Sequence, residues 1–427
     1  VGSLMWNTAW HTQLYHATAC LGVVLHTANL RLGPKDLTYC IRHAQDQIMF
    51  VDADLVKLLA AVEAPILSDI QLFVIAGEDA VPGKFKIPQQ IPSERVQDLA
   101  AFVSTSVASF EWPDFKETTL HAICYTSGTT GNPKAAAYSH RSTYLHTIAA
   151  VGADALGLKG SHVVLPFVPM FHVLSWGVPF MALMLGTRMI MNNRFMDPAS
   201  LLQCFVDWEV QLSTGVPVVW QGLKAAIEKV GVEQACAPVS LMNWYKEQLG
   251  ITFLQGWGMT VAKYQDLTAS PATLLSNVAK AGLPMPGLNA IPFEGFEIRV
   301  VNPENLDEEL PRNQPGELLC RGPWVIGEYF HEDAADKFHK GWLITGDVAK
   351  VDHDGAVVLT DRSKDVIKSG GEWISSIDME NHIAALPEVA QAAVVAAYHP
   401  RWEERLDRLL QSQYAEAQNL TKKGPKP

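Results

Sequence analysis

Apolar positions recur along this chain at helical and at strand spacing. Within 54–62, Leu55, Val56, Leu58, Leu59 and Val62 share one helical stripe. Residues 72–76 form a short apolar run closed by Gly77, the pattern of a buried strand. Residues 120–125 read as another buried strand. It runs straight into a Gly/Thr/Ser-rich loop at 126–134, and helical spacing resumes from about Arg141. Between them, 78–118 has no clean period, and Pro82, Pro88, Pro92 and Pro113 interrupt it. Strands alternating with helices predict an α/β architecture.

From Phe296 the texture changes to short strands and turns. Residues 297–301, 316–320 and 356–360 all read as extended. Asp354-Gly355 between the apolar runs 348–351 and 356–359 is a strong hairpin signal. Residues 361–375, dense in Lys, Gly and Ser, read as a linker. Residues 379–386 and 402–418 read as helices around one strand at 392–397, and 421–427 as a disordered tail. The expectation is a large N-terminal domain, 1–361, of helices layered on β-sheets and ending in a β-rich subdomain at about 290–361. A small, shortened α+β domain, 362–427, follows.

Composition narrows the class. With 427 residues, 48% hydrophobic and 18% charged, the chain can bury a large core and is not intrinsically disordered. Its net charge of -12 comes without any dense Lys/Arg run, so it lacks the electrostatic footprint of a nucleic-acid binder. An anionic ligand would need local basic groups to bind against that field. The 6 cysteines, Cys20, Cys40, Cys124, Cys204, Cys236 and Cys320, show no C-x-x-C pair and no metal-ligand spacing. They are expected to be reduced, buried thiols of a cytoplasmic protein. The uncharged stretch 163–185 could span a bilayer by length. It holds Pro166, Pro169, His172 and Pro179, so buried strand, turn and helix are expected instead. The chain opens Val1-Gly2-Ser3-Leu4-Met5-Trp6, without a signal-peptide pattern and without Met, and is expected to start inside a domain.

The chemistry concentrates in Tyr125-Thr126-Ser127-Gly128-Thr129-Thr130-Gly131-Asn132-Pro133-Lys134. Glycines that accept positive φ let successive backbone N–H groups converge on an anion, and hydroxyls and an amine add donors. Such a loop suits triphosphate oxygens. It is not a Walker P-loop: Pro133 stands where the second glycine belongs, and Ala135 follows Lys134.

This string closely resembles the phosphate loop of the adenylate-forming superfamily, which includes acyl-CoA synthetases, beetle luciferases and the adenylation domains of peptide synthetases. Further segments match in order. In Gly256-Trp257-Gly258-Met259-Thr260 the resemblance puts the aromatic near adenine and Thr260 on the nucleotide phosphate. In Gly341-Trp342-Leu343-Ile344-Thr345-Gly346-Asp347 it gives Asp347 the ribose hydroxyls. In the segment from Asp361 to Ser375 it gives Arg362 the ribose, Lys364 the hinge of the small domain, and Gly370 and Gly371 the pantetheine arm of CoA, with Glu372 and Trp373 beside them. Thr126, Ser127, Gly128, Thr129, Thr130, Gly131 and Lys134 would hold the ATP phosphates, with Thr130 on Mg²⁺. Thr260, Lys134 and Lys368 would act in catalysis.

Pro169-Met170-Phe171-His172-Val173-Leu174-Ser175-Trp176 resembles the acyl-binding segment. In amino-acid-activating relatives an Asp follows this Phe; here His172 stands there, which argues against an α-amino acid. Phe171, His172 and Trp176 then line the acyl site of a fatty-acyl-CoA synthetase of medium- or long-chain type. Taken as bare residues, Phe171, His172 and Trp176 are also compatible with plain core packing.

Departures from the pattern bear on activity. Val261 replaces an acidic Mg²⁺ partner, Ala235-Cys236-Ala237-Pro238 stands near a missing adenine-pocket turn, and a late segment with a catalytic lysine is absent, so that Lys422, Lys423 and Lys426 lack its context. The expected function is ATP-dependent activation of a fatty or other carboxylic acid to an acyl-adenylate and its transfer to CoA, impaired in this chain. The rival readings are a non-catalytic binder of nucleotide, CoA or acyl chains, and a shortened gene product without stable function. ATP, Mg²⁺ and CoA are the expected cofactors; a homodimer stays open, as does peripheral membrane or organellar association.

Overall fold

The computed structural model describes residues 1–77, 85–105, 109–126, 132–152, 155–229, 245, 249, 251, 256–257, 267–268, 283–284, 296–331, 334–353, 357–363, 366–369, 372–374, 376, 379–380, 383, 389–399 and 403–412. A seven-stranded sheet carries the N-terminal half. Its strands are β1 (Gly2–Leu4), β2 (Leu25–Thr27), β3 (Ile48–Asp52), β4 (Leu72–Ala76), β5 (Val96–Asp98), β6 (Leu120–Thr126) and β7 (Lys134–Ser139), in the order β5-β4-β3-β1-β2-β6-β7. All pairings are parallel except β6 with β7. Helices α1 (Ala9–Leu21), α2 (Pro34–Ala44), α3 (Ala64–Asp69) and α4 (Leu99–Ser104) make the crossovers.

A parallel sheet covered on both faces needs strands that are apolar throughout, and the run 72–76 is one. In β4, Val74 and Ala76 enter one core with Leu25, Ala122 and Tyr15, while Phe73 and Ile75 enter another with Leu4, Met49 and Val51. The stripe at 54–62 forms a 3₁₀ helix, Ala53–Ala61, whose Leu55, Val56 and Leu59 join that second core.

The second half of the large domain holds α5 (His140–Ala150), a three-stranded sheet of β8 (Val163–Pro166), β9 (Arg188–Met189) and β10 (Leu212–Thr214), and helices α6 (Val178–Leu185), α7 (Pro198–Asp207) and α8 (Pro217–Lys229). The uncharged stretch 163–185 is thus strand, turn and helix, mostly buried but exposed at His172, Leu183 and Met184. No helix among the described residues is long and apolar enough to cross a membrane. Short strands β11 (Gly256–Trp257), β12 (Leu267–Thr268) and β13 (Leu283–Pro284) pair antiparallel.

A β-rich unit follows: β14 (Glu297–Asn302), β15 (Asn305–Glu309), β16 (Gly316–Arg321), β17 (Phe338–His339), β18 (Trp342–Val351) and β19 (Val357–Arg362). Strands β18 and β19 pair antiparallel, as the Asp-Gly signal requires, although Asp354 and Gly355 themselves lie outside the described residues.

Several sequence expectations give way here. The loop after β6 leads into a strand, not directly into a helix: β7 closes a hairpin on β6, with Thr126 opposite Lys134, and α5 starts only after it. The supposed linker contains the end of β19 and the hairpin β20 (Ile367–Ser369) with β21 (Glu372–Ile374). The strand expected at 392–397 lengthens to β22 (Val389–His399). Its partner β23 (Glu403–Ser412) occupies sequence read as helix. Glu, Arg and Leu favour helix, but propensity is a weak determinant, and pairing along the whole of β22 overrides it. Helical backbone occurs at Ser376, Met379, Glu380 and Ile383, while 421–427 lie outside the described residues. Cys40, Cys124 and Cys320 are buried thiols, Cys204 is half-buried, and Cys20 is exposed against expectation; Cys236 lies outside the described residues.

Candidate active site

Ligands of open α/β sheets gather at the C-terminal ends of the strands, and the predicted acyl segment sits there. Asn7, just past β1 and buried, donates through Nδ2 to Pro166 O and Val168 O, both at 3.0 Å, and accepts the Met170 N–H at 2.8 Å. Tyr15 of α1 donates to Met170 O, and Thr27 at the end of β2 donates to Phe171 O at 3.4 Å. Thr27 stands beside Cys124 on β6. The acyl segment and the strand feeding the phosphate loop therefore share one sheet edge.

The segment is wound the wrong way round for L-residues. Val173, Leu174, Ser175 and Trp176 have φ of 48°, 51°, 51° and 55°, and Gly177 continues at 77°. Left-handed winding costs roughly 1–2 kcal/mol per non-glycine residue. Complete burial and specific bonds offset it: Ser175 Oγ donates to Val168 O at 2.9 Å, and Trp176 packs on Val168 and Val173. Phe171 and Trp176 are buried, whereas His172 keeps much of its surface exposed although the chain packs around part of its ring. Desolvation by the surrounding chain, then the positive charge of Arg31, hold the His172 imidazolium below its usual range. The Arg31 guanidinium lies 6.0 Å from the centre of the Phe171 ring.

At the mouth of the loop, Thr126 Oγ1 donates to Lys134 O at 3.2 Å. Tyr125 is tied down behind it: its hydroxyl lies 2.8 Å from His43 Nδ1 and donates to Cys40 O at 3.2 Å. Ser127, Gly128, Thr129, Thr130 and Gly131 lie outside the described residues. So do Gly258, Met259, Thr260, Val261, Lys364, Gly370 and Gly371, and the segment 235–238. Gly256 and Trp257 form β11. Lys368 stands opposite Trp373, and Ser369 opposite Glu372, in the β20–β21 hairpin.

Asp347 and Arg362 are brought together by the β18–β19 hairpin, as register partners with Arg362 Nε 3.6 Å from Asp347 Oδ1. Gly346 has a φ of 73° at a point where the β16–β18 register shifts, so the strand bulges and re-aims Asp347. Thr345 Oγ1 donates to Leu318 O at 2.7 Å and accepts the Asp347 N–H at 3.1 Å.

Sequence reasoning passed over Glu317. Its buried carboxylate accepts the Gly346 N–H at 2.7 Å through one oxygen and the Ser363 hydroxyl through the other. Ser363 N also donates to Gly346 O at 2.9 Å. Burial pushes the Glu317 carboxyl up, the two hydrogen bonds pull it back, and Asp347 adds a further push upward. The signal was a lone acid inside the apolar run Gly316-Glu317-Leu318-Leu319-Cys320. Asn7 gave no such signal.

Comparison with known proteins places the chain. It belongs to the AMP-binding enzyme family, whose model matches residues 1–330. It is 37% identical over 432 residues to the 3-methylmercaptopropionyl-CoA ligase of Ruegeria lacuscaerulensis, covering 95% of this chain and 76% of that protein. It is 36% identical to the medium-chain-fatty-acid–CoA ligase of Ectopseudomonas oleovorans, covering 94% and 74%, and 35% identical to the long-chain-fatty-acid–CoA ligase of Thermus thermophilus, covering 95% and 74%. Among solved structures, an anthranilate CoA ligase in complex with anthranoyl-AMP superposes with a TM-score of 0.82 at 20% identity, over 96% of this chain and 77% of that one. The o-succinylbenzoate CoA synthetase of Bacillus subtilis, in complex with ATP and magnesium ion, gives 0.77 at 22% identity, over 98% and 81%. These superpositions establish the shared adenylate-forming fold.

Proposed function

We propose that this chain activates a carboxylic acid with ATP to an acyl-adenylate and passes the acyl group to CoA, and that the acid is a medium- or long-chain fatty acid. The observation that carries the reading is the shared sheet edge: Asn7, bonded to Met170 N, and Thr27, bonded to Phe171 O, seat the start of the Pro169–Trp176 segment beside the strand that enters the phosphate loop. A carboxylate held there lies close to where the loop would present a phosphate.

A carboxylate is a poor electrophile. Its attack on the α-phosphate of ATP expels pyrophosphate and makes AMP the leaving group for the thiol. In-line placement and preorganised positive charge supply the catalysis. Lys134, the loop hydroxyls and Thr260 would hold the phosphates, Asp347 and Arg362 the ribose, and Gly256, Trp257, Gly258 and Met259 the adenine side. Lys364, Lys368, Gly370, Gly371, Glu372 and Trp373 would serve the thioester half-reaction with CoA. Mg²⁺ would be carried mainly on the nucleotide's own phosphates, with Thr130 as the protein donor; bound there, the ion would neutralise phosphate charge.

The medium-chain and long-chain fatty-acid–CoA ligases above support the fatty acid, as does the absence of an amine-pairing Asp at His172. The 3-methylmercaptopropionyl-CoA ligase marks a short thioether acid as the competing substrate. Val261 favours a second reading, a nucleotide binder with little turnover, because its side chain has no donor for a cation. The test is pyrophosphate release with ATP, Mg²⁺, CoA and a panel of acids from propionic to palmitic, with 3-methylmercaptopropionic acid included. Release that peaks at C6 to C16 acids is expected. ATP binding without release for any acid would support the second reading.

A further inference from the structure

We propose that Trp6 is a positioning residue for acyl-adenylate formation, locking the sheet that carries the phosphate loop to the sheet that carries the acyl segment. The proposal rests on the reading of those two parts as the ATP and acid sites. The loop hangs from β6 and β7 of the seven-stranded sheet, and the acyl segment leaves β8 of the three-stranded one. Trp6 and Asn7, where β1 ends, join them. On one side, Asp52 Oδ2 at the end of β3 accepts the Trp6 N–H at 2.8 Å. Asp54, in the 3₁₀ helix that follows, accepts the indole Nε1–H through its two oxygens at 3.2 and 3.1 Å. On the other side, Asn7 holds Pro166, Val168 and Met170, and its carbonyl accepts the Asn193 N–H at 2.9 Å, just past β9. Arg194, next in the chain, returns to Asp54, with Nη1 3.3 Å from Oδ2. Trp6, Asp54, Arg194, Asn193 and Asn7 thus close a ring of contacts that ties together the exits of β1, β3, β8 and β9.

The chemistry gives this joint its use. The acid carboxylate and the α-phosphate are held by different sheets, and attack needs them about 3–3.5 Å apart and in line. Each sheet fixes distances within itself; the distance between the two is set by what joins them. Apolar contact is non-directional, whereas hydrogen bonds have direction. An indole N–H shared between both oxygens of Asp54 therefore restricts the register more than packing does. The Arg194–Asp54 pair, with side chains 47% and 29% exposed, adds little stability. Its place in the ring is geometric: it draws the exit of β9 onto the acid that holds Trp6.

The experiment separates alignment from binding and from folding. Trp6→Phe keeps an aromatic ring and removes the indole donor. With ATP and acid saturating, it is expected to slow ATP–pyrophosphate exchange about five- to twentyfold, a fraction of the roughly 10²-fold cost of a misplacement of about 1 Å. ATP affinity by calorimetry, and acyl transfer from synthetic acyl-adenylate to CoA, should stay within about twofold, since neither needs a carboxylate in line with the α-phosphate. Asp54→Ala should reproduce the loss. Asp54→Asn keeps an acceptor for the indole and should recover most of it. Trp6→Phe combined with Asp54→Ala should be no slower than either alone. Exchange, acyl transfer and ATP affinity falling together would overturn the inference by making Trp6 a general packing residue. So would losses that multiply in the double variant, or unchanged exchange in Asp54→Ala, the variant that decides if Trp6→Phe does not fold. The proposed activity would survive each of these. No exchange by the unsubstituted chain with any acid would overturn both.

Discussion

Asp347 and Arg362 face each other across one rung of an antiparallel ladder, their charged groups 3.6 Å apart, with the Asp347 side chain 14% exposed and Arg362 62% exposed. An ion pair that open to water adds little stability, so the arrangement is better suited to receiving a ligand than to holding the fold. Asp347→Ala should weaken ATP binding by about 1–3 kcal/mol through loss of charged hydrogen bonds, with the melting temperature almost unchanged. Calorimetric titration showing unaltered affinity would remove Asp347 from the site.

Glu317 supports that pair from below. In Glu317→Gln one acceptor becomes an amide donor, which can take the Ser363 hydroxyl as its acceptor while the remaining oxygen keeps the Gly346 N–H. Two hydrogen bonds to a charged group then become bonds to a neutral one, at a cost of about 1–2 kcal/mol. The variant should unfold at lower urea and bind ATP more weakly, because Gly346 and Ser363 adjoin Asp347 and Arg362. Denaturation curves and ATP affinity that both match the unsubstituted chain would show the clamp to be unimportant.

On the proposed reading, a change at Val261 should act on the rate rather than on the affinity. Val261→Glu should raise ATP–pyrophosphate exchange by on the order of 10²-fold, the scale of one electrostatic contact at a transition state. Acyl transfer from synthetic acyl-adenylate to CoA should stay roughly constant. Exchange that does not respond would mean another group already supplies that contact.

Asp52 gives the fold a pH dependence. Burial pushes its carboxyl up to about 7, against the pull of the Trp6 N–H at 2.8 Å and with a push from Asp54. Its folded value lies above its unfolded one, so the folded chain holds the extra proton between about pH 4 and 7, and stability falls as pH rises through that window. Asp52→Asn keeps an acceptor for Trp6 and cannot ionise. It should gain on the order of 1–4 kcal/mol by pH 7.5 and almost nothing at pH 4. Thermal melts at both ends of the range decide it; a pH-independent gain would point to packing instead.

How far the sequence reaches depends on whether partners are local. The Asp347–Arg362 pairing was readable because an Asp-Gly turn lies between two strand-like runs, which fixes an antiparallel return. Strand β7 was not, since its run Lys134-Ala135-Ala136-Ala137 suits a helix, and only pairing with β6 and the bridge to Tyr329 make it extended. Strand β23 failed for the same reason: its residues favour helix by propensity and become strand beside β22. Asn7 could not be found at all, for its bonds reach 159 to 163 residues along the chain.

If the left-handed turn at Val173–Gly177 borders the acid, as proposed, it bears on how acid preference could change over time. The two hands of the backbone are separate allowed regions, so this coil has no gently altered versions. It is wound as it is or it is refolded entirely. Relatives that accept a different acid should therefore keep the same coil and exchange only what it displays, as a type case holds its shape while the letters in it are changed.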